Sequence, residues 1–260
     1  MTPWEAAILG FVQGATEFLP VSSSGHLVIG EELLGVTTPG VLFEVAVHVA
    51  TLVSILLVYR TRVADLAVGA LCGQREALRY VGMIVLATVP AGLVGVLAGD
   101  FVESLFDSPT VVGVSLLITG VLLWSTRWAM ARANGPVPTW TAALLIGIAQ
   151  AFAITPGISR SGTTVVAALW LGVEPREAAA FSFLMAVPAI AGAGVLQIPE
   201  LANGGGLGWA ALALGSLVAA VTGVLAIRTL VLLLARRAFH LFAPYCWAAG
   251  ALFLVYLAVR

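Results

Sequence analysis

Gln13-Gly-Ala-Thr-Glu17-Phe-Leu-Pro-Val-Ser22-Ser23-Ser24-Gly25-His26 interrupts one of the most apolar parts of the chain. A related run follows 137 positions later: Gln150-Ala-Phe-Ala-Ile-Thr-Pro156-Gly-Ile-Ser159-Arg160-Ser161-Gly162-Thr163-Thr164. At that offset Gly10 matches Gly147, Gln13 matches Gln150, and Ser22, Ser24 and Gly25 match Ser159, Ser161 and Gly162. Further on, Leu34-Gly35-Val36 matches Leu171-Gly172-Val173. The identities include the polar residues, so they mark an internal repeat and not a chance likeness of Gly-rich segments. Polar groups are costly in hydrocarbon, and two such runs in lipid-soluble surroundings point to one internal site.

The surroundings are lipid-soluble by composition. Of 260 residues 60% are apolar and only 10% charged, which excludes an ordinary soluble domain. The chain reads as one integral membrane domain, an all-α polytopic protein. Residues 41–59, 80–99, 109–127, 178–198, 208–228 and 240–258 are each long enough to cross a bilayer, which takes roughly 20 residues. Residues 3–19 and 22–34 are shorter and are separated around Pro20. Residues 139–154 and 158–172 repeat that pattern around Pro156-Gly157. Irregular backbone at membrane depth is tolerated only where protein or a water-filled cavity covers it, so each pair is expected to be a re-entrant helical hairpin. The first helix lacks the basic start of a cleavable signal peptide.

Each half is then one hairpin plus three spans: repeat 1 over about 1–128 and repeat 2 over about 138–260. Three is odd, so the second half enters from the opposite side. The expected fold is an inverted-topology repeat of six full spans and two re-entrant hairpins, with the site near the midplane. Arginine supplies all twelve cations. Ten of them (60, 62, 75, 79, 127, 132, 176, 228, 236 and 237) fall on one side of this topology, while Asp100, Glu103, Asp107 and Glu200 fall on the other. The positive-inside rule makes the arginine side cytoplasmic and places both ends of the chain, and the mouth of the first hairpin, outside.

Arg160 is the decisive residue. A guanidinium at membrane depth is costly, and its five donors suit bidentate phosphate binding. A salt bridge to Glu17 that merely locks the hairpins is the plainer explanation. Ser159, Ser161, Thr163 and Thr164, however, add more donors than one ion pair requires. Gly157 and Gly162 allow close backbone approach, and the half-helix starting near Ser159 directs its positive end at the break, completing an anion cradle. In the first run Ser22, Ser23 and Ser24 exceed what one N-cap needs. Ser23 and His26 are spaced i,i+3, and a serine beside an imidazole is a minimal activated nucleophile. Gln13 and Glu17 share a helical face; Glu17 suits a metal ligand or an acid/base.

Glu44 and His48, one turn apart, either border the cavity or form a structural hydrogen bond, and His240 reads as structural. Trp4, Trp128, Trp140, Trp209 and Trp247 read as interfacial anchors. Cys72 and Cys246 lack metal-ligand spacing.

Both motifs resemble the undecaprenyl-diphosphate phosphatase, or bacitracin-resistance protein, family. Its Glu/Gln-x-x-x-Glu and Pro-Gly-x-Ser-Arg-Ser-x-x-Thr signatures read here Gln13-Gly-Ala-Thr-Glu17 and Pro156-Gly-Ile-Ser-Arg160-Ser-Gly-Thr-Thr164. Phe18–His26 and Phe181-Ser-Phe-Leu-Met-Ala-Val-Pro188 are similar as well. Gln13 stands where many members carry Glu, leaving one carboxylate fewer for a metal. The resemblance implies a multi-pass protein of the bacterial cell membrane. It would hydrolyse a long-chain prenyl diphosphate to the monophosphate with a divalent cation (Mg²⁺ or Ca²⁺), renewing the carrier for peptidoglycan synthesis and conferring bacitracin resistance. Catalysis is expected from Ser23, His26, Glu17 and Arg160. Substrate binding is expected from Ser22, Gln13, Ser159, Ser161, Thr164 and Gly162, and metal binding from Glu17. Ser23, His26 and water remain alternative nucleophiles. The partners implied are the lipid substrate and the bilayer, with a homodimer compatible and no nucleic acid. A polyprenyl-phosphate flippase or anion transporter on the same scaffold is the competing class; the Ser23/His26 pair favours an enzyme.

Overall fold

The computed structural model describes residues 1–34, 41–106, 108–196 and 208–259. Gly35, Val36, Asp107, Glu200 and Arg260, on which parts of the repeat and charge readings fall, lie outside the described residues.

Helix α1 (Pro3–Phe18) starts on a capping box, with Thr2 and Glu5 satisfying each other's backbone N–H groups. It stops before Pro20, and α2 (Ser23–Leu34) folds back along it, bringing Gly30 against Leu9. Helix α3 (Val41–Val58) follows, then bends by 80° at Tyr59 into α4 (Arg60–Leu71). Helices α5 (Arg75–Leu97), α6 (Gly99–Phe106) and α7 (Pro109–Ala129) complete the first half. The second half runs through α8 (Trp140–Phe152), α9 (Arg160–Trp170), α10 (Pro175–Leu196), α11 (Trp209–Ala235), a 3₁₀ turn (Phe239–Leu241) and α12 (Phe242–Val259).

The protein is an all-α polytopic membrane protein. Among the described residues five helices of 21 to 27 residues are long and apolar enough to cross a bilayer, and the bent α3–α4 pair passes the same test as a unit. Val and Leu side chains along α5, α11 and α12 remain exposed, as helices placed in hydrocarbon allow. Helices α4 and α6 occupy stretches the sequence reading left as connections. Both interleave polar with apolar residues, a pattern that a search for unbroken apolar runs passes over.

Packing is close where glycine allows it. A side chain on Gly10 or Gly14 of α1 would strike the backbone of α11 at Gly215 and Ala219, so these helices touch main chain to main chain. On the other side of the molecule, a Cβ on Gly147 of α8 would come within 2.5 Å of the Ala87 carbonyl of α5. Small residues that let backbones approach are the usual means of joining helices in lipid, where apolar burial alone drives little. Contact order gives direction: α1 and α3 run parallel to α11, α8 runs parallel to α5, and α12 runs antiparallel to α7. Trp247 is a correction to the interfacial assignment. Its indole lies in the α7–α12 seam over Gly120 and donates to the Leu117 carbonyl at 3.2 Å.

The two chain breaks meet. Gly25 of α2 faces the Gly157 Cα, Gly162 faces Pro20, and the Ser161 hydroxyl donates to the Leu19 carbonyl at 3.2 Å. Before α8 and after α9 the chain is clasped to itself, Gly135 N–H donating to Gly172 O (2.7 Å) and Glu174 N–H to Gly135 O (2.8 Å). That clasp holds the start of α8 beside the end of α9. Behind the tips, Phe183 of α10 packs edge-on against Phe18 at 5.4 Å between centroids, so α10 buttresses the end of α1.

Candidate active site

Each break is built by the same local device. In the second, Ser159 caps α9 by accepting from Gly162 N–H at 3.0 Å and lies 3.3 Å from the Ser161 hydroxyl. In the first, Ser22 accepts from Gly25 N–H at 3.3 Å and lies 3.3 Å from the Ser24 hydroxyl. The turns leading into them need unusual backbone. Gly157 has φ +87°, and a side chain there would meet the Val112 carbonyl at 2.5 Å. Ser22 adopts φ +70°, a left-handed conformation uncommon for a residue with a Cβ. Thr119 of α7 pins the second turn, donating to Gly157 O and accepting from Ser159 N–H, both at 3.1 Å.

Glu17 stands at the centre. One carboxylate oxygen pairs with the Arg160 guanidinium; the other accepts from the Ser23 hydroxyl at 2.5 Å and from the Gln13 amide at 3.1 Å. Glu17 is 7% exposed, so this carboxylate is held inside the protein by three partners from both motifs. Breaking one side of a buried ion pair typically costs about 3–5 kcal/mol, because the other charge is left stranded. The arrangement joins a nucleophile-type hydroxyl, a base in contact with it, and a cation for an anionic ligand.

These groups line a cavity of about 650 Å³. Glu17, Ser22, Ser23, Ser159 and Arg160 form its polar wall, and Val49, Ala91, Val96 and Ile190 contribute apolar surface. Its size suits a compact polar head with the first part of a hydrocarbon chain. The positive end of the α9 dipole is directed at this polar wall.

Other expected residues serve the frame. The Thr164 hydroxyl donates to the Arg160 carbonyl at 2.8 Å and lies 2.6 Å from the Ser182 hydroxyl, tying α9 to α10 instead of facing the cavity. Ser161 and Gly162 form the contact between the two tips. The expected contact between Ser23 and His26 is not formed. His26 Nδ1 donates to the Ser22 carbonyl at 2.8 Å, and Nε2 lies 2.7 Å from the Tyr245 hydroxyl of α12. Spacing put the two residues on neighbouring positions of α2, but the ring turns toward α12 and Ser23 turns toward Glu17. His48 and Glu44 do line the cavity, with His48 Nε2 3.9 Å from Glu17. Thr119, Ser182 and Tyr245 escaped the sequence reading, because their parts depend on contacts between distant helices.

The donors also bear on a cation. Among the described residues no three His, Cys, Asp or Glu side chains converge. The Gln13 Oε1, however, is buried beside Glu17 without a hydrogen-bond partner. A carboxylate and an amide oxygen are hard donors, of the kind a small divalent cation takes.

Comparison with known proteins agrees with the motifs. The family model described as "Bacitracin resistance protein BacA" matches residues 6–252. A protein named undecaprenyl-diphosphatase from Rubrobacter xylanophilus is 43% identical over 261 residues, covering 95% of this chain and 96% of its own. Those of the same name from Desulfosudis oleivorans and Desulfatibacillum aliphaticivorans are 41% and 39% identical, each covering 96% of this chain and 97% of its own. The chain belongs to the bacitracin resistance protein family.

Proposed function

We propose that this member of the family is a membrane phosphatase that hydrolyses undecaprenyl diphosphate to undecaprenyl phosphate and inorganic phosphate. Its product renews the lipid carrier for cell-wall synthesis. Near-full-length relatives carry that name, and the single observation that best supports the chemistry is Glu17 gripping Ser23 and Arg160 at once. A carrier for anions needs the arginine and the helix end. It has no use for a carboxylate set on a serine hydroxyl.

In this reading the terminal phosphoryl group lies against Arg160 and Ser159 at the start of α9, whose charge and dipole oppose the negative charge of the transition state. Only one guanidinium nitrogen is engaged by Glu17, so other donors remain for phosphate oxygens. Ser23 attacks phosphorus in line while Glu17 takes its proton, and water later hydrolyses the phosphoserine with Glu17 again as base. Gln13 orients the Glu17 carboxylate. His26 fixes the first turn of α2 through Ser22 and Tyr245, and so acts on Ser23 through position. Glu17 and the free Gln13 oxygen would hold a divalent cation (Mg²⁺ or Ca²⁺) together with substrate oxygens. When bound, the cation supplies charge neutralisation at the diphosphate.

The same reading extends to architecture: two inverted repeats, about 1–128 and 138–260, each with a re-entrant hairpin and three spans. Exchange of partners supports it. The first arm of hairpin one packs on the second span of repeat two (α1 on α11), and the first arm of hairpin two packs on the second span of repeat one (α8 on α5). Spans α7 and α12 pair with each other, as an internal two-fold requires. Arg62 joins the arginine-rich ends, pairing with Glu177 at 3.3 Å and lying over the Tyr80 ring. The cavity is lined by the opposite ends of α5 and α10, at Thr88–Val96 and Pro188–Gly194. With the arginine ends cytoplasmic, the diphosphate reaches the site from the outer face and the prenyl tail lies between helices.

Purified protein in detergent is expected to release phosphate from a C55 prenyl diphosphate, and to lose that activity with chelator and regain it on addition of Mg²⁺ or Ca²⁺. Binding of the lipid with no phosphate release under any divalent cation would replace the phosphatase with a carrier.

A further inference from the structure

The cavity that holds Glu17 and Arg160 has a second wall of a different kind. Helix α10 contributes Pro188, Ala189, Ile190, Gly192, Ala193 and Gly194, none with a polar side chain. Helix α5 contributes Thr88, Ala91, Gly92, Gly95 and Val96, and its one hydroxyl, on Thr88, donates to the Ile84 carbonyl of its own helix at 2.9 Å. Side chains with no free donor or acceptor gain nothing from a phosphate and suit hydrocarbon. The polar part of the cavity ends at Gln150 of α8, which is 2% exposed. Its amide nitrogen faces the Ala87 carbonyl at 3.5 Å, and among the described residues its Oε1 has no partner. Water carried in with a diphosphate would supply the missing donor.

The apolar wall is also open. At their arginine-rich ends α5 and α10 pack side by side, with the Tyr80 ring edge-on to Phe181 at 5.8 Å between centroids and Phe181 to Ala186 buried. Beyond Pro90 in α5 and Pro188 in α10 the packing loosens. Gly92, Gly192 and Ala193 are exposed, and a Cβ added to Gly92, Gly95, Gly192 or Gly194 would meet no described atom within 4 Å. A proline removes one backbone hydrogen bond and lets a helix bend, which suits two helices that part after packing. Val89, Leu93, Val96 and Val195 beside this slot are exposed as well, so it is continuous with the surface that meets lipid.

We propose that this slot between the C-terminal ends of α5 and α10 receives the first isoprene units of the substrate tail, and that Gly92 and Gly192 are specificity-determining residues whose missing side chains set its width. The inference rests on the phosphatase reading and deepens it. A C55 tail does not fit within about 650 Å³ together with a diphosphate, so it has to leave the cavity sideways into lipid. With the terminal phosphoryl group at Arg160 and Ser159, the ester end of the head emerges on the apolar side, where the slot begins. Bulk at either glycine would then fill space that belongs to the tail. The competing path leads past Val45 and Val49 of α3, which line the same cavity.

The test is steady-state phosphate release from C5, C15 and C55 prenyl diphosphates by full-length wild type, Gly92→Leu and Gly192→Leu in detergent. Wild type should favour C15 over C5 in kcat/KM. Each substitution should lower that preference about 10-fold or more, since one methylene too many in an apolar pocket commonly costs about 10- to 200-fold. A wild type without the preference, or a glycine variant that keeps it, overturns the assignment. A second measurement needs no substitution: a C15 diphosphate with a diazirine in its first isoprene unit is photolysed on wild-type protein and the label mapped. Label within Thr88–Val96 or Pro188–Gly194 is expected. Label on α3 or elsewhere overturns the slot. A wild type that releases no phosphate from any of the three substrates defeats instead the phosphatase reading, and the map still reports where the tail lies.

Discussion

Glu17→Gln is expected to reduce phosphate release by about 10³-fold or more while leaving in place the lipid binding measured without divalent cation. The substitution keeps the size and hydrogen-bonding capacity of the side chain, so Ser23 and Gln13 still have a partner. It removes the only group, among the described residues, in contact with the Ser23 hydroxyl that can take its proton. Arg160 loses its internal counterion and becomes freer to hold phosphate, which is why turnover and binding should separate. The check is kcat from phosphate release together with equilibrium binding of the prenyl diphosphate to the same preparation. Loss of both would assign Glu17 to the frame and not to the chemistry.

Arg160→Ala has the other large expected effect, a fall in kcat/KM of about 10³-fold or more, with binding and turnover both damaged. Removing a single preorganised donor from a transition-state anion commonly costs about 10²–10³. Here the lost group also holds Glu17 toward the cavity. Arg160→Lys should recover only part of the loss, since an ammonium supplies the charge without the fork that spans two acceptors. Steady-state kinetics of the three proteins, each checked for monodispersity by gel filtration in detergent, measures this. An active Arg160→Ala would remove the anion cradle from the site.

The elements that the sequence made legible are those with local causes. Pro20 and Pro156-Gly157 break helices, Thr139 and Ser159 cap them, and the boundaries of α1, α2, α8 and α9 follow within a few residues. That Glu17 and Arg160 share one site was legible; that they pair directly is the plainer explanation that the sequence reading set below an anion cradle, and the structure forms that pair. Direction within the site was not. Spacing places Ser23 and His26 on adjoining positions of α2, yet the His26 ring is bonded to Tyr245 of α12, more than two hundred positions away. Thr164 sits inside the second motif but is claimed by Ser182 across the α9–α10 seam. For His48 the sequence leaves open whether it borders the cavity or makes a structural hydrogen bond. Its relation to Glu17 depends on how α3 and α1 pack along α11. Trp247 failed for the same reason, its indole being drawn into a seam that Gly120 opens.

The two motifs share a capping device and differ in what they present. Ser22 and Ser159 occupy equivalent caps, and the next residue is Ser23 in one and Arg160 in the other. Two turns of like construction thus supply a hydroxyl from one side and a guanidinium from the other, with Glu17 of the first motif bonded to both.

The central claim is that Ser23 receives the phosphoryl group, and the most direct measurement is acid-quench trapping of protein incubated with terminally labelled C55 prenyl diphosphate, followed by mapping of the label. The account predicts phosphate on Ser23 in wild type, none in Ser23→Ala, and loss of turnover in that variant. Label on any other residue, or turnover that survives Ser23→Ala, would contradict it.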